Sequence, residues 1–154
     1  MTDRIDTEVW VEEFLNDLLD LTGLDIDIEE MELDTEDVLK VQLAGPDSAR
    51  VIGREGQMLY ALQHIVISSA IHAGIPHRRI LIDVEQYRER REQRVCDEAA
   101  RLANTALDTG EYQDLYPMSP RERRLAHMVV EDIDGVTTES QGEGDERFVR
   151  IIPK

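Results

Sequence analysis

The stretch that decides the fold is Val51-Ile52-Gly53-Arg54-Glu55-Gly56-Gln57-Met58-Leu59-Tyr60-Ala61-Leu62-Gln63. Gly53 and Gly56 flank two charged residues, and a long segment with helical apolar spacing follows them. Glycines let a backbone approach a phosphate closely, and the N-terminus of the next helix favours negative charge. The stretch therefore predicts a loop that holds the backbone of single-stranded nucleic acid.

The glycine pair alone is a weak signal, because a Gly-x-x-Gly run also forms ordinary turns between two helices. A nucleotide P-loop is a poor match, since it ends in Lys followed by Ser or Thr. Here Gln57 and Met58 follow the second glycine. The secondary structure predicted on either side of the loop is needed to distinguish a nucleic-acid-binding loop from an ordinary turn.

Before the loop, the pattern predicts one helix and two strands. Apolar residues recur at helical spacing over about 7–22, and Gly23 ends that helix. Residues 25–28 alternate as a strand does, and the alternation slips at Glu29-Glu30, which indicates a bulge or a strand end. Residues 39–43 alternate again, so we expect a hairpin that turns near 34–37.

After the loop, the pattern predicts a helix and a buried strand. A short helical turn leads from Ser48 into the loop, and the helix beyond Gly56 ends at Gly74 and Pro76. Its apolar face is broad enough to require burial on two sides, or on one side plus a partner. Residues 80–84 are uniformly apolar except for Asp83 and predict a third strand.

The second half predicts a smaller α/β unit, with a boundary near residue 86. A helix runs from Tyr87 to about Leu107, and residues 111–118 suggest a short strand. Ser119, Pro120 and Glu122 carry the pattern of a capped helix start. Residues 136–140 and 147–152 fit a closing hairpin around 142–144.

The first half resembles a type II KH domain, with the order α-β-β-α-α-β over about residues 7–86. The KH loop clamps the backbone of about four nucleotides. By that resemblance Gly53 and Gly56 allow close approach, Arg54 meets phosphate, and Ile52 lines a base groove with the next helix. Glu55 departs from the pattern, because related loops usually carry a second basic residue at that position.

The second half resembles the Arg-x-x-x-His ("R-three-H") domain, which binds single-stranded nucleic acid. Arg123 and His127 stand four apart on the helix opened by Ser119, so they share a face. A lone pair at this spacing is usually a solvated surface. The flanking runs 116–127 and 139–144 make the match more specific. Arg124 belongs to the same run, and we expect Arg147 and Arg150 on the last strand to extend the binding surface.

The ordered pair of domains resembles the bacterial Jag family, also called KhpB or EloR, over nearly the whole chain. The fold class expected is α+β: a type II KH domain (1–86) joined through a helix to a small α/β R-three-H domain (87–154) with a short, mostly antiparallel sheet. The family implies single-stranded RNA binding linked to cell elongation and division, as a post-transcriptional regulator or RNA chaperone. A small single-KH protein or a second copy of the chain is the implied protein partner. An extra N-terminal Jag domain, found in many members, is expected to be absent.

The net charge of −17 would ordinarily oppose nucleic-acid binding, but its distribution is uneven. Residues 1–47 hold 16 acidic and 2 basic side chains, a net of −14, whereas residues 48–154 carry a net of only −3. Fourteen of the fifteen basic residues after position 47 are arginines. Charges farther than roughly 8 Å from a binding groove are largely screened at physiological salt. The acidic flank should weaken binding without abolishing it.

Other functions have little support in the sequence. One cysteine, Cys96, permits no internal disulfide, and no apolar run is long enough to cross a membrane, so we expect a cytoplasmic protein. The four histidines have no metal-ligand spacing, and no catalytic group stands out. We therefore expect no enzyme, metal or cofactor. The alternative function is a protein-interaction scaffold whose RNA affinity is weak or lost, which Glu55 and the acidic first third favour.

Overall fold

The computed structural model describes residues 2–75 and 79–154, with side chains from Thr7 onward. It divides the chain into two compact units, Met1–Tyr87 and Arg88–Lys154. The elements of the first unit are α1 Thr2–Thr22, β1 Asp27–Leu33, β2 Val38–Ala44, α2 Ser48–Ile52, α3 Gln57–His72 and β3 Arg79–Val84. Those that follow are α4 Tyr87–Thr109, β4 Gln113–Asp114, α5 Pro120–Glu131, β5 Val136–Gln141 and β6 Phe148–Pro153.

The first unit has the predicted α-β-β-α-α-β order. Its three strands form one mixed sheet in the order β1-β2-β3, with β1 antiparallel and β3 parallel to β2. A parallel neighbour requires a crossover connection, and α2 and α3 supply it here. The core lies between the sheet and the helices, and its fully buried side chains include Val11, Leu15, Val41, Leu59, Val66 and Ile82.

The predicted slip at Glu29-Glu30 is a bulge in β1. The register between β1 and β2 shifts between Ile28 and Glu30. Because of that extra residue, Ile28, Met31 and Leu33 all pair with buried residues of β2 and pack against the same core. Without the bulge, the residues beyond it would turn their apolar side chains to the other face of the sheet.

Two predicted boundaries were wrong. α1 begins at Thr2 rather than near residue 7, because the polar first residues continue the same helix. The strand expected over 111–118 shrinks to Gln113–Asp114, since only these two residues pair with β6. Gly74 follows α3 as expected, and Pro76 lies outside the described residues.

The second unit packs α4 and α5 on one face of a three-stranded antiparallel sheet in the order β4-β6-β5. Val149 and Ile151 of β6 are fully buried. They share a core with residues of both helices, including Val95, Ala99, Ala126 and Val130. Alternation along β6 therefore turns Phe148, Arg150 and Ile152 to the opposite face of the sheet.

Candidate nucleic-acid interface

The loop between α2 and α3 depends on backbone conformations that suit glycine. Gly53 lies at φ 70° and ψ −173°, a region that other residues almost never occupy. Residues Arg54–Gly56 then form one turn of 3-10 helix, in which Glu55 (φ 53°) and Gly56 (φ 81°) are left-handed. A Cβ on Gly53 would stand 2.7 Å from Cβ of Met58. A side chain at position 53 would therefore distort the start of α3.

Gly56 is buried beneath two tyrosine rings. A Cβ at this position would stand 2.8 Å from Cε1 of Tyr87 and 3.2 Å from Cε2 of Tyr60. Tyr87 itself is only 6% exposed. The second glycine therefore lets aromatic side chains close over one side of the loop, while the charged residues before it stay at the surface.

The exposed side of the loop carries Arg54 and Glu55, and both side chains are open to solvent. Gly56 is the N-cap of α3, and no side chain in the described part of the chain caps the first turn of that helix. Uncapped N–H groups at a helix N-terminus form an anion site. Ile52, half-buried against the core, borders the loop on the other side. The arrangement can hold a phosphate between backbone N–H groups and one guanidinium.

α3 is fastened to the edge strand β3 by a side chain. The Oε1 atom of Gln63 accepts a hydrogen bond from the backbone N–H of Ile82 at 3.0 Å. β3 is the outer strand of its sheet, so this bond uses a donor on the sheet edge beside α3. Gln63 therefore lies where α3 and the edge strand meet.

In the second unit, α5 begins at the predicted capping box. Glu122 N–H donates to Ser119 Oγ at 3.3 Å, and Ser119 N–H donates to Glu122 Oε2 at 2.8 Å. The other oxygen of the buried Glu122 accepts a hydrogen bond from Arg91 of α4. Burial raises the pKa of Glu122, but the hydrogen bonds from Arg91 and Ser119 outweigh it and lower the pKa below its usual value. One carboxylate thus caps α5 and ties it to α4.

His127 joins α5 to β5 through both of its ring nitrogens. Nδ1 lies 2.7 Å from Thr138 Oγ1, and Nε2 lies 2.9 Å from Ser140 Oγ. A neutral imidazole has one donor and one acceptor, and hydroxyl groups can serve either. Burial lowers the pKa of His127, and the charges of Arg123 and Arg147 lower it further. The ring is therefore neutral at pH 7 and holds the hairpin on the helix.

The structure separates the predicted arginines into two sets. Arg123 donates a hydrogen bond to the backbone oxygen of Met118 at 2.7 Å. Arg123 and Arg147 both lie near enough to His127 to lower its pKa. Arg124 and Arg147 are exposed. Arg150 does not join them, because it projects from the sheet face opposite α5. The Arg123 surface, as we call Arg123, Arg124, His127 and Arg147, thus gathers four of the five second-unit residues predicted.

Comparison with known proteins matches each half of the chain to a known domain family. Residues 8–81 match the KhpA/KhpB KH domain, and residues 94–153 match the R-three-H domain. A Clostridium symbiosum protein named RNA-binding protein KhpB is 34% identical over 142 residues, which cover 92% of this chain and 64% of that protein. The chain belongs to the KhpB (Jag) family.

Further KhpB relatives are more distant. Those of Bacillus subtilis and Streptococcus pneumoniae are 27% and 29% identical over 79% and 73% of this chain. The chain spans less than two thirds of each of these relatives: 64%, 59% and 34% of the Clostridium, Bacillus and Streptococcus proteins. Within the described residues, no group of side chains has the arrangement of a metal site, and no helix is long and apolar enough to cross a membrane.

Several residues that shape this KhpB-family surface were missed from the sequence. Tyr60 and Tyr87 were predicted only as helix residues, and Thr138 and Ser140 only as strand residues. The partners of Tyr87, Thr138 and Ser140 lie far away along the chain, so local periodicity gives no signal for them. Tyr60 lies one helical turn after Gly56, and its spacing from the loop was the available signal. The polar run 137–140 in a strand is the available hint that a residue of another element needs hydrogen-bonding partners there.

We expect Gly53→Ala to destabilise the first unit more than Gly74→Ala does. Both glycines have positive φ, at 70° and 72°, but a Cβ at Gly74 meets nothing within 4 Å. The control should therefore cost about 1 kcal/mol of unfolding free energy from backbone strain alone. Gly53→Ala should cost about 2–3 kcal/mol, because the conformation is less accessible and Met58 must move. Equal losses in urea titrations would contradict this account of the loop.

Stability of the second unit should fall as pH drops below about 6.5, the ordinary pKa of histidine. The folded pKa of His127 is lowered, so the unfolded chain binds more protons and acid favours unfolding. The loss should level off once pH falls below the folded pKa. Hydrogen exchange of α5 and β5 amides measures it. His127→Gln should remove this component, and the exposed-residue control His64→Gln should retain it. A His127→Gln protein with the same pH dependence would contradict the prediction.

Proposed function

We propose that this protein binds single-stranded RNA without catalysing a reaction. The Gly53–Gly56 loop holds the backbone of about four unpaired nucleotides, and the Arg123 surface holds an adjacent stretch. The observation that carries the proposal is the loop itself. It combines two glycine-dependent conformations, an exposed Arg54 and the open N-terminus of α3 at one site.

We place the bases beside the loop, where α3 meets the edge strand β3. Ile52 borders the loop there, and Gln63 binds the edge strand through the N–H of Ile82. Unpaired bases present their hydrogen-bonding edges to such a strand while the loop contacts their phosphates. Backbone contacts dominate this arrangement, so we expect modest sequence preference.

The second unit is less acidic than the first and carries more of the basic residues. The first unit has 19 acidic and 6 basic residues, a net of −13, and the second has 15 acidic and 11 basic, a net of −4. Arg123 and Arg147 lie beside a neutral His127, and the exposed Arg124 stands three positions before it on α5, so phosphate would meet three guanidinium groups there. Neutralising phosphates releases counterions, and the affinity should fall steeply with salt.

The wider biological role rests on the family resemblance and on the names of the relatives. The similar proteins of Clostridium symbiosum and Bacillus subtilis are named RNA-binding proteins. We propose by analogy that this protein is a cytoplasmic post-transcriptional regulator or RNA chaperone linked to cell elongation and division. Its proposed protein partner is a small single-KH protein or a second copy of the chain.

Arg54→Glu should weaken binding to an unstructured single-stranded RNA and reduce the slope of log affinity against log salt by about one. Lys40→Glu is the matched control. It makes the same charge change in the same unit, but Lys40 lies on the outer sheet face between buried Leu39 and Val41. Glu55→Lys should strengthen binding. Fluorescence anisotropy measures the affinity of all three variants at salt concentrations from about 50 to about 200 mM, a range over which counterion release changes affinity strongly. If Arg54→Glu and Lys40→Glu behave alike, the loop is not the phosphate site.

A protein-interaction scaffold is the second candidate, and one observation favours it. α3 exposes large apolar side chains. Met58 and Ile65 share one side of the helix and are 53% and 46% exposed, and Ile71, on another side, is 57% exposed. Exposed apolar residues grouped on one element can mark an interface. Recovery of partners from lysate with and without ribonuclease separates the candidates. Partners that survive ribonuclease while no RNA is recovered would favour the scaffold, and recovered RNA would favour the first proposal.

A further inference from the structure

The second sheet has a face that no described helix of its own unit covers. α4 and α5 share the core with Val149 and Ile151, so Phe148 and Arg150 project to the other side. Asp114 and Glu139 lie across from Arg150 on the neighbouring strands β4 and β5. This face is distinct from the Arg123 surface, because Thr138 and Ser140, which bind His127, alternate with Glu139 along β5.

Arg150 forms the centre of an aromatic ladder on that face. Its guanidinium carbon lies 4.1 Å from the ring centre of Tyr112 and 5.9 Å from that of Phe148. Two hydrogen bonds to Asp114, from Nε at 2.6 Å and Nη2 at 2.7 Å, fix the plane of the guanidinium. Tyr112 remains 57% exposed. Three planar groups are thus held in place before any ligand arrives.

We propose that Tyr112, Phe148 and Arg150, here called the Tyr112 platform, form a stacking site for an unpaired nucleobase. Bases of single-stranded RNA stack on aromatic rings and on guanidinium planes, and every base has a face suited to this. The inference rests on the proposed function, since it adds a base site to the two phosphate-binding surfaces. It assigns Arg150 to stacking, separately from the phosphate contacts of the Arg123 surface.

The charges around the Tyr112 platform favour a base over a phosphate. Asp114 already neutralises Arg150, and Glu139 lies directly opposite it on β5. A cavity of about 430 Å³ adjoins Phe148 and is lined also by Asp114, Leu115, Pro117, Gly142 and Glu146. Carboxylates repel phosphate but accept hydrogen bonds from the amino groups of bases. The site therefore suits the base end of a nucleotide whose phosphate lies elsewhere.

Stacking and phosphate binding respond differently to salt. Contacts to phosphate release counterions and weaken as salt rises, whereas stacking on neutral surface releases none. Loss of the Tyr112 platform should therefore lower the affinity equally at every salt concentration. Loss of a phosphate-binding arginine should instead change the slope.

The test compares Tyr112→Leu with the conservative Tyr112→Phe in the full chain. The probe is an unstructured single-stranded RNA decamer of mixed sequence, titrated by anisotropy at several salt concentrations. Tyr112→Leu should bind roughly tenfold more weakly, in line with the loss of one base–aromatic stack, with an unchanged salt slope. Tyr112→Phe should bind like the unaltered protein, because it keeps the ring. Phe148→Leu serves as a second ring-removing variant.

A second readout separates this site from the proposed function. Aromatic NMR signals of Tyr112 and Phe148 should shift with the decamer but not with an abasic strand of equal length. Amide signals of 53–56 should shift with both. If the loop signals shift while the rings do not, or if Tyr112→Leu binds normally, the stacking site is wrong and the RNA-binding proposal stands. That face would then be open to a protein partner. If no signal shifts with either strand, both proposals fail.

Discussion

The conformation of the Gly53–Gly56 loop depends on the close packing of Tyr87 against Gly56. Tyr87 closes over this glycine, and its own position depends on the junction between β3 and α4, where Glu85 and Gln86 are both left-handed at φ 48° and 56°. Glu85 is held there by a hydrogen bond from Ser48 Oγ at 2.7 Å. The loop is therefore set by packing from the end of its own unit. A phosphate would meet a site that needs little reorganisation, which is what limits the cost of binding.

The acidic surface makes that prearrangement more important. In a unit with a net charge of −13, long-range attraction cannot bring RNA to the loop. Directed backbone donors and one guanidinium have to act at short range, where screening is least effective. The second unit carries more arginine, but not all of it is available to phosphate: Arg150 is paired with Asp114, and Arg91 with Glu122. The number of arginines that are not already paired with carboxylates therefore matters more for phosphate binding than the total number of arginines.

Features encoded by neighbouring residues were predictable from the sequence, and long-range pairings were not. The capping box at Ser119 and the bulge at Glu29 depend on spacing alone, and the structure confirms both. Arg123 and His127 do share a helix, but the partners of His127 lie 11 and 13 residues away on another element. Arg147 and Arg150 looked equivalent, yet strand alternation puts Arg150 on the face away from His127. Residues three apart in one strand face opposite ways, so this separation could have been predicted from the spacing of the two arginines.

RNA binding through the Gly53–Gly56 loop is tested most directly by locating the RNA on the protein. A single-stranded RNA carrying 4-thiouridine would be crosslinked to the full chain by light, and the attached peptides identified by mass spectrometry. We expect crosslinks in 51–63, around Arg123 and Arg147, and at the Tyr112 platform, all lost in competition with excess unlabelled single-stranded RNA. Crosslinks that avoid the Gly53–Gly56 loop altogether, or that persist in the competition, would contradict it.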